Sequence, residues 1–299
     1  MNCKSGWTAR KGEWLELTLP APPGSDEELM DWLQKTTPVP AKLLRKLKGS
    51  NGIVRIGRKV RLRLFPPEKA QFFPEWREIA ILYEDDFCLV AGKEPGMNVH
   101  PAFPGQQGSL ANAVAFYYQS TGQDCRVRHI HRLDKDTSGA VLYAKNELAQ
   151  LVLDEAMKLG KIKRGYLAVV AGRMDRTQGR IDAPIGRDRH HPQRRRVTAG
   201  GDPASTRYEV IDRCRDATLV KLWLETGRTH QIRVHLSYIG HPVWGDVLYG
   251  GPADGINRQA LHGKTLTFSH PWTAEPLQLE MPEPEDFRRL AENLRLRIP

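Results

Sequence analysis

The order of strand-like and helix-like segments constrains the fold of this chain more than any other feature. Segments 79–82, 87–91, 140–144, 166–171 and 218–224 read as strands from their apolar, β-branched and aromatic content. Between the third and fourth lies a helical segment. Asn146 is its predicted N-cap, Leu148, Leu151, Val152, Ala156 and Leu159 mark one face, and Gly160 ends it. A parallel sheet needs a crossover helix between successive strands, in regular alternation. The spacing here is irregular, so the expected class is α+β, with a mixed, largely antiparallel sheet flanked by helices.

Proline and glycine divide the chain further. One cluster falls at 20–24, and segment 65–74, FPPEKAQFFP, adds three prolines, which neither continue a helix nor donate to a sheet ladder. The expected organisation is a small unit at 1–68, a linker at 69–78 and a larger unit at 79–299. In the small unit, 26–32 and 41–48 read as helices, the second with Leu43, Leu44 and Leu47 on one face. After the turn at Ser50-Asn51-Gly52, IVRIGRKVRLRL at 53–64 alternates apolar and basic residues around a Gly57-Arg58 break, as a half-buried hairpin does. Every charged residue from Lys42 to Arg63 is positive, and the whole chain carries a formal net charge of +10. Basic side chains gain free energy by displacing counterions from phosphates, so the expected partner is RNA. Near the end of the chain, 286–296 is amphipathic.

No apolar run approaches the roughly 20 residues that span a bilayer, and the first residues, MNCKSGWTARKGEW, contain no apolar core of a signal peptide. Cys3, Cys88, Cys125 and Cys214 are scattered with no C-x-x-C pair, which argues against a zinc site and a disulfide framework. No chemistry is assigned to them, and a reduced cytoplasmic setting without membrane attachment follows.

The densest polar cluster is RHIHRLDKDTSGAVLYAKN at 128–146, where two histidines and two aspartates precede an apolar strand. A carboxylate at the edge of a core can be partly desolvated and oriented. The residues themselves leave three readings open. Asp134 and Asp136 could hold a divalent ion, though the loop offers few carboxylates among many basic groups. His129 and His131 could bind zinc, though no third ligand is near. One aspartate could act directly as nucleophile or base. A second cluster, ETGRTHQIRVH at 225–235, opens a helical segment in which Arg228 and Arg233 can place guanidinium groups near a carboxylate or a phosphate. Lys163-Arg164-Gly165-Tyr166 delivers an aromatic residue into a strand, where it packs in the core or stacks on a base. The basic tract RDRHHPQRRR at 187–196 adds positive charge.

These segments resemble the RluA-like family of RNA pseudouridine synthases, the large-subunit rRNA type. HRLDKDTSG at 131–139 is similar to the catalytic motif of that family, ILYEDDFCLVAGKEPGMNVHP at 81–101 to its opening motif, LETGRTHQIRVHLSYIGHPVWGDVLYG at 224–250 to its third, and RQALHGKTLTFSHP at 258–271 to its last. The resemblance spans roughly 79–282, in order. It departs at Lys93-Glu94-Pro95-Gly96, where the family more often has Lys-Pro-x-Gly, and at Ala140, where leucine is usual.

The resemblance implies the pseudouridine synthase fold and a role for each matching residue. Asp134 is the essential aspartate, Arg233 the arginine that pairs with it, and Tyr166 the tyrosine that stacks on the target base. Arg132 helps displace the target nucleotide and Leu261 forms an apolar wall. His131 and Arg228 join Arg132 and Leu261 as RNA- or base-binding residues. The 1–68 unit resembles an S4-like RNA-binding domain. The reaction detaches uracil from ribose, turns it and rejoins it through carbon, gaining nothing from outside, so no cofactor and no metal are expected. The implied substrate is rRNA, or tRNA, modified by a monomer. A rival RNA-binding protein without activity could afford to lose Asp134, Tyr166 or Arg233, all of which are present. A metal-dependent nuclease would be inhibited by chelator.

Overall fold

The computed structural model describes residues 7–299; Cys3 lies outside them. A four-stranded antiparallel sheet comes first, ordered Trp7–Lys11, Trp14–Thr18, Lys59–Leu62, Ile53–Ile56, with helices Asp26–Thr36 and Ala41–Gly49 between its second and third chain segments. The hairpin break at Gly57-Arg58 falls where its sequence puts it. The first hairpin, Trp7–Lys11 with Trp14–Thr18, carries no motif that sequence reading singled out.

The charge of this unit differs from its linear sequence. The basic run has acidic partners elsewhere in the chain. Glu16, almost fully buried, is met by Lys11, Lys59 and Arg61 at 3.2, 3.1 and 2.9 Å. Arg63 pairs with Glu13, Lys48 with Asp26, and Lys46 with Glu147 of the larger unit. Lys42 and Arg45 stay exposed on helix Ala41–Gly49 with no ion pair among the described residues.

Residues 65–80 form no regular element, yet hydrogen bonds hold them to the larger unit. Glu68 N donates to Asp124 O, Glu75 N to Asn112 O, and the Asn112 amide to Phe73 O. Asn112 sits in helix Leu110–Ser120, which sequence reading did not identify.

The larger unit is built on a ten-stranded sheet whose main path runs Gln178–Asp182, Ser205–Arg213, Ala217–Leu224, Lys163–Ala171, Leu261–Ser269, Ser138–Ala144, Cys88–Lys93, Ile81–Glu84. Pro276–Glu280 pairs with Leu261–Ser269, and Arg128–His129 with Ser138–Ala144. Every pairing is antiparallel except a short parallel contact between Leu261–Ser269 and Ser138–Ala144. The α+β class with a largely antiparallel sheet is therefore observed.

Strand Ser138–Ala144 explains its own apolar run. All seven residues are buried, because both faces are covered. Ala140, Leu142 and Ala144 join the core made with helix Glu147–Lys158 and the N-terminal unit, and Val141 and Tyr143 join the core made with helix Leu110–Ser120. Side chains alternate across a strand, so a strand between two layers needs apolar residues at every position. Cys88–Lys93 follows the same rule: Cys88 and Val90 face one core, Leu89 and Ala91 the other.

Helix Glu147–Lys158 begins as expected, with the Asn146 side chain accepting from Ala149 N. Its buried face is rotated from the expected one. Ala149 and Leu153 are buried with Leu148, whereas Leu151 and Leu159 are exposed. Spacings of three and four residues fit two neighbouring stripes of one helix, and packing selected the other.

Candidate active site

The segment 131–139 ends in strand Ser138–Ala144, so the sheet fixes its position. Gly139 has φ +140°, and a Cβ there would lie 2.6 Å from the backbone of Gly263 in the adjacent strand. No other residue can stand where the polar loop enters the sheet.

Four contacts from distant segments hold the loop. Lys93, wholly buried, donates its ammonium to the carbonyls of Glu94, Met97 and Lys135 at 3.0, 2.8 and 2.8 Å. Burial pushes this lysine down to about 7, against the opposing pull of Asp136 and Asp134. The departure at 93–96 thus keeps the lysine and forms a turn with Gly96 at φ +84°. Arg258 donates to Asp136 O at 3.2 Å and forks onto Asp286 at 2.6 and 2.8 Å. The Gln259 amide reaches Thr137 Oγ1 at 3.2 Å. Arg233 Nη1 reaches Asp134 Oδ2, also at 3.2 Å.

Arg233 belongs to helix Gln231–Tyr238 and serves two carboxylates. Its Nε and Nη2 form a two-point contact with Asp246 at 2.6 and 2.9 Å, and only Nη1 is left for Asp134. Burial opposes the charge of Arg233, but the two carboxylates raise its pKa above the ordinary arginine value. The Asp246 side chain is 1% exposed and that of Asp134 26%. Asp246 is therefore the anchor of the guanidinium, and Asp134 is the carboxylate that still opens to the surface.

A pocket of about 70 Å³ lies beside Asp134. Arg132, Tyr166, Arg228, Arg233 and Leu261 line it with Asp134. Tyr166 and Leu261 are buried, Arg132 and Arg228 exposed. Burial holds the Tyr166 phenol protonated, raising its pKa with help from Asp134 against Arg164. Six of the seven residues selected from sequence thus meet at one pocket, although Asp134 and Arg233 are 99 residues apart.

His131 is the exception and corrects the expectation. It is 7% exposed and does not line the pocket; its Nε2 accepts from Leu142 N at 3.3 Å. Its neighbour on the chain points outward while it points into the sheet, and burial depresses it to about 3. It is a neutral ring that holds backbone, not a base contact.

Sequence reading missed Asp246, Lys93, Arg258, His230 and Tyr249 as parts of this site. Asp246 stands in the quoted third motif, and an acidic residue 13 positions after Arg233 was the available signal. Arg164 was noted only as part of a basic turn; its guanidinium lines the pocket and has no ion pair among the described residues.

Among the described residues, Asp85, Cys88 and His270 could together hold a metal ion. Asp85 and Cys88 stand at the end of strand Cys88–Lys93 away from Lys93, and His270 reaches them from just after strand Leu261–Ser269. Asp85 Oδ1 accepts from Phe87 N and Cys88 N at 2.8 Å each, and Oδ2 meets Tyr83 OH at 2.9 Å and His270 Nε2 at 2.6 Å. A larger cleft of about 480 Å³ lies between the N-terminal unit and Lys145–Leu148. Most of its charges are already paired, among them Arg10 with Asp86, Lys46 with Glu147 and Arg63 with Glu13, so size does not make it the site.

The sheet thus presents one arginine-held carboxylate, a buried tyrosine and exposed arginines at a single pocket. A family model described as RNA pseudouridylate synthase matches residues 87–238. The chain is 43% identical over 282 residues to "Uncharacterized RNA pseudouridine synthase YhcT" of Bacillus subtilis (strain 168), covering 93% of this chain and 92% of that protein. It is 41% identical over 229 residues to "Ribosomal large subunit pseudouridine synthase D" of Vibrio parahaemolyticus, covering 72% and 70%. The solved structure of human RNA Pseudouridylate Synthase Domain Containing 1 superposes with a TM-score of 0.59 at 27% identity, over 69% of this chain and 84% of that one. This chain belongs to the RNA pseudouridine synthase family, as an RluA-like member. It is an isomerase that converts uridine in RNA to pseudouridine.

Proposed function

We propose that this enzyme modifies uridine in large-subunit ribosomal RNA, with Asp134 as the catalytic carboxylate. The observation that carries the reading is the single 3.2 Å contact between Asp134 and Arg233 at the wall of a pocket that also holds Tyr166 and Leu261. One guanidinium contact orients the carboxylate, and the remaining exposure leaves it accessible to a ribose or base. Tyr166 stacks on the flipped uracil, and Leu261 closes the pocket on the apolar side. Arg132 enters the space the nucleotide leaves, and Arg164 and Arg228 hold the neighbouring phosphates. Flipping a base costs a few kcal/mol, which stacking and phosphate contacts offset.

The domain reading follows the same logic. Residues 1–68 form an S4-like RNA-binding unit, 69–78 a linker, and 79–299 the catalytic unit. The uncommitted cations Lys42 and Arg45 on an exposed helix face support the RNA-binding role. The relatives named for the ribosomal large subunit support the choice of rRNA over tRNA and a cytoplasmic setting.

Pseudouridine mapping in rRNA and tRNA from a deletion strain tests the substrate. Loss of a large-subunit rRNA pseudouridine, restored by the wild-type gene and not by Asp134→Asn, is expected. Loss confined to tRNA would overturn the rRNA assignment.

A further inference from the structure

We propose that His230 presents a neutral imidazole Nε2–H to the base in the pocket, donating to a carbonyl oxygen of uracil, with Tyr249 as the residue that fixes this tautomer. The inference rests on the reading of the pocket given above and adds a base contact to it.

His230 lines the same pocket as Asp134 and Tyr166. It precedes helix Gln231–Tyr238 with φ +57°, a left-handed conformation that costs a non-glycine residue energy and that recurs at working sites. As the helix N-cap it caps nothing: its side chain makes no capping hydrogen bond. Its Nδ1 lies 2.9 Å from the Tyr249 hydroxyl instead. That hydroxyl also accepts from Arg195 N at 2.9 Å. A phenol has one proton to give. With the Arg195 amide donating to the oxygen and no other acceptor for the phenol proton among the described residues, the Tyr249 proton goes to His230 Nδ1, and the imidazole proton resides on Nε2.

Nε2 has no hydrogen-bond partner among the described residues. Burial, reinforced by Arg233, lowers the pKa of His230 against the opposing pull of Asp134, so the ring is neutral at pH 7. Tyr249 is itself held in place. Arg233 lies over its ring with Cζ 5.0 Å from the centroid, and Arg194 lies 5.8 Å away. The hydroxyl thus links the hairpin of Ile185–Arg187 and Arg195–Val197 to the pocket wall.

The chemistry needs such a donor. Uracil separated from its sugar carries extra electron density on its ring nitrogen and carbonyl oxygens. A neutral N–H held at the pocket wall stabilises that state without reorganisation. The fully charged arginines cannot do this selectively, because they also attract every phosphate nearby.

The test compares full-length wild type, His230→Ala, His230→Gln and Tyr249→Phe in single-turnover pseudouridine formation and RNA affinity. Total RNA from a deletion strain supplies the substrate. His230→Ala is expected to lose about 10²-fold in rate, as for removal of one preorganised donor, with RNA affinity within roughly twofold. Glutamine carries an amide N–H at the position of Nε2, so His230→Gln is expected to recover to within about tenfold of wild type. Tyr249→Phe frees the tautomer and is expected to lose roughly fivefold in rate with unchanged affinity. Alanine and glutamine meet the same left-handed backbone cost, so the difference between them isolates the donor. Equal impairment of the two variants would overturn the proposal, as would undiminished activity of His230→Ala. An inactive wild-type enzyme on that RNA would instead overturn the reading of the pocket together with this one.

Discussion

Two acidic sites in this protein meet their cations in opposite proportions. Glu16, in the N-terminal sheet, has three cations to itself, and its hydrogen bonds to Lys59, Arg61 and Lys11 hold it at about 2. At the pocket the ratio inverts: Asp134 and Asp246 share one guanidinium, which gives two of its three contacts to Asp246. Surplus positive charge turns a carboxylate into a fixture. Scarce positive charge leaves Asp134 with one contact and an open side, as its proposed catalytic role requires. The same accounting applies to the cations, since Lys59 and Arg61 are spent on Glu16 while Lys42 is uncommitted.

The strongest break of this comparison is Asp134→Asn. Amide and carboxylate are close in size, so the melting temperature should stay within about 2 °C while tritium release from labelled uridine in RNA falls by about 10³-fold or more. Retained activity would remove Asp134 from the chemistry. Asp246→Asn comes next. It strips a buried guanidinium of its anchor and should cost roughly 3–5 kcal/mol of stability, read by denaturant titration. A loss no larger than that of Asp134→Asn would mean that the two carboxylates hold Arg233 equally.

Glu16→Gln should lower the melting temperature less than Asp246→Asn does, and its effect should depend on pH. The folded pKa of Glu16 is depressed from 4.5 to about 2. Its stabilisation is therefore fully present above the unfolded value and is lost as pH falls through the folded one. Melting curves of wild type and variant should converge between pH 4.5 and 2; a gap that persists at pH 2 would point to packing alone. The smallest effect is expected for Lys42→Gln. RNA affinity should fall only a few-fold, with the log–log salt slope reduced by about 0.7–0.9. Lys59→Gln should leave that slope unchanged and lower stability instead, separating free from committed cations.

Much of this was legible before any coordinates. Segment 140–144 is apolar at every position because both its faces are covered, and its entry loop is polar because it leaves the sheet. Helix Leu110–Ser120 went unread although Ser109 and Asn112 form a capping box, since asparagine is an uncommon partner there. His131 misled because neighbours on the chain can face opposite sides of a sheet edge, and only pairing decides which side.

Local alternation and composition marked several strands of the large sheet, their mixed class and the polar loop that contains Asp134, and the motif resemblance singled out that aspartate. The tertiary structure alone decided which groups hold that loop. Lys93 reaches Lys135 across 42 positions, Arg233 reaches Asp134 across 99, and Arg258 reaches Asp136 across 122. Such contacts are set by strand register and helix packing, and local pattern carries no record of them.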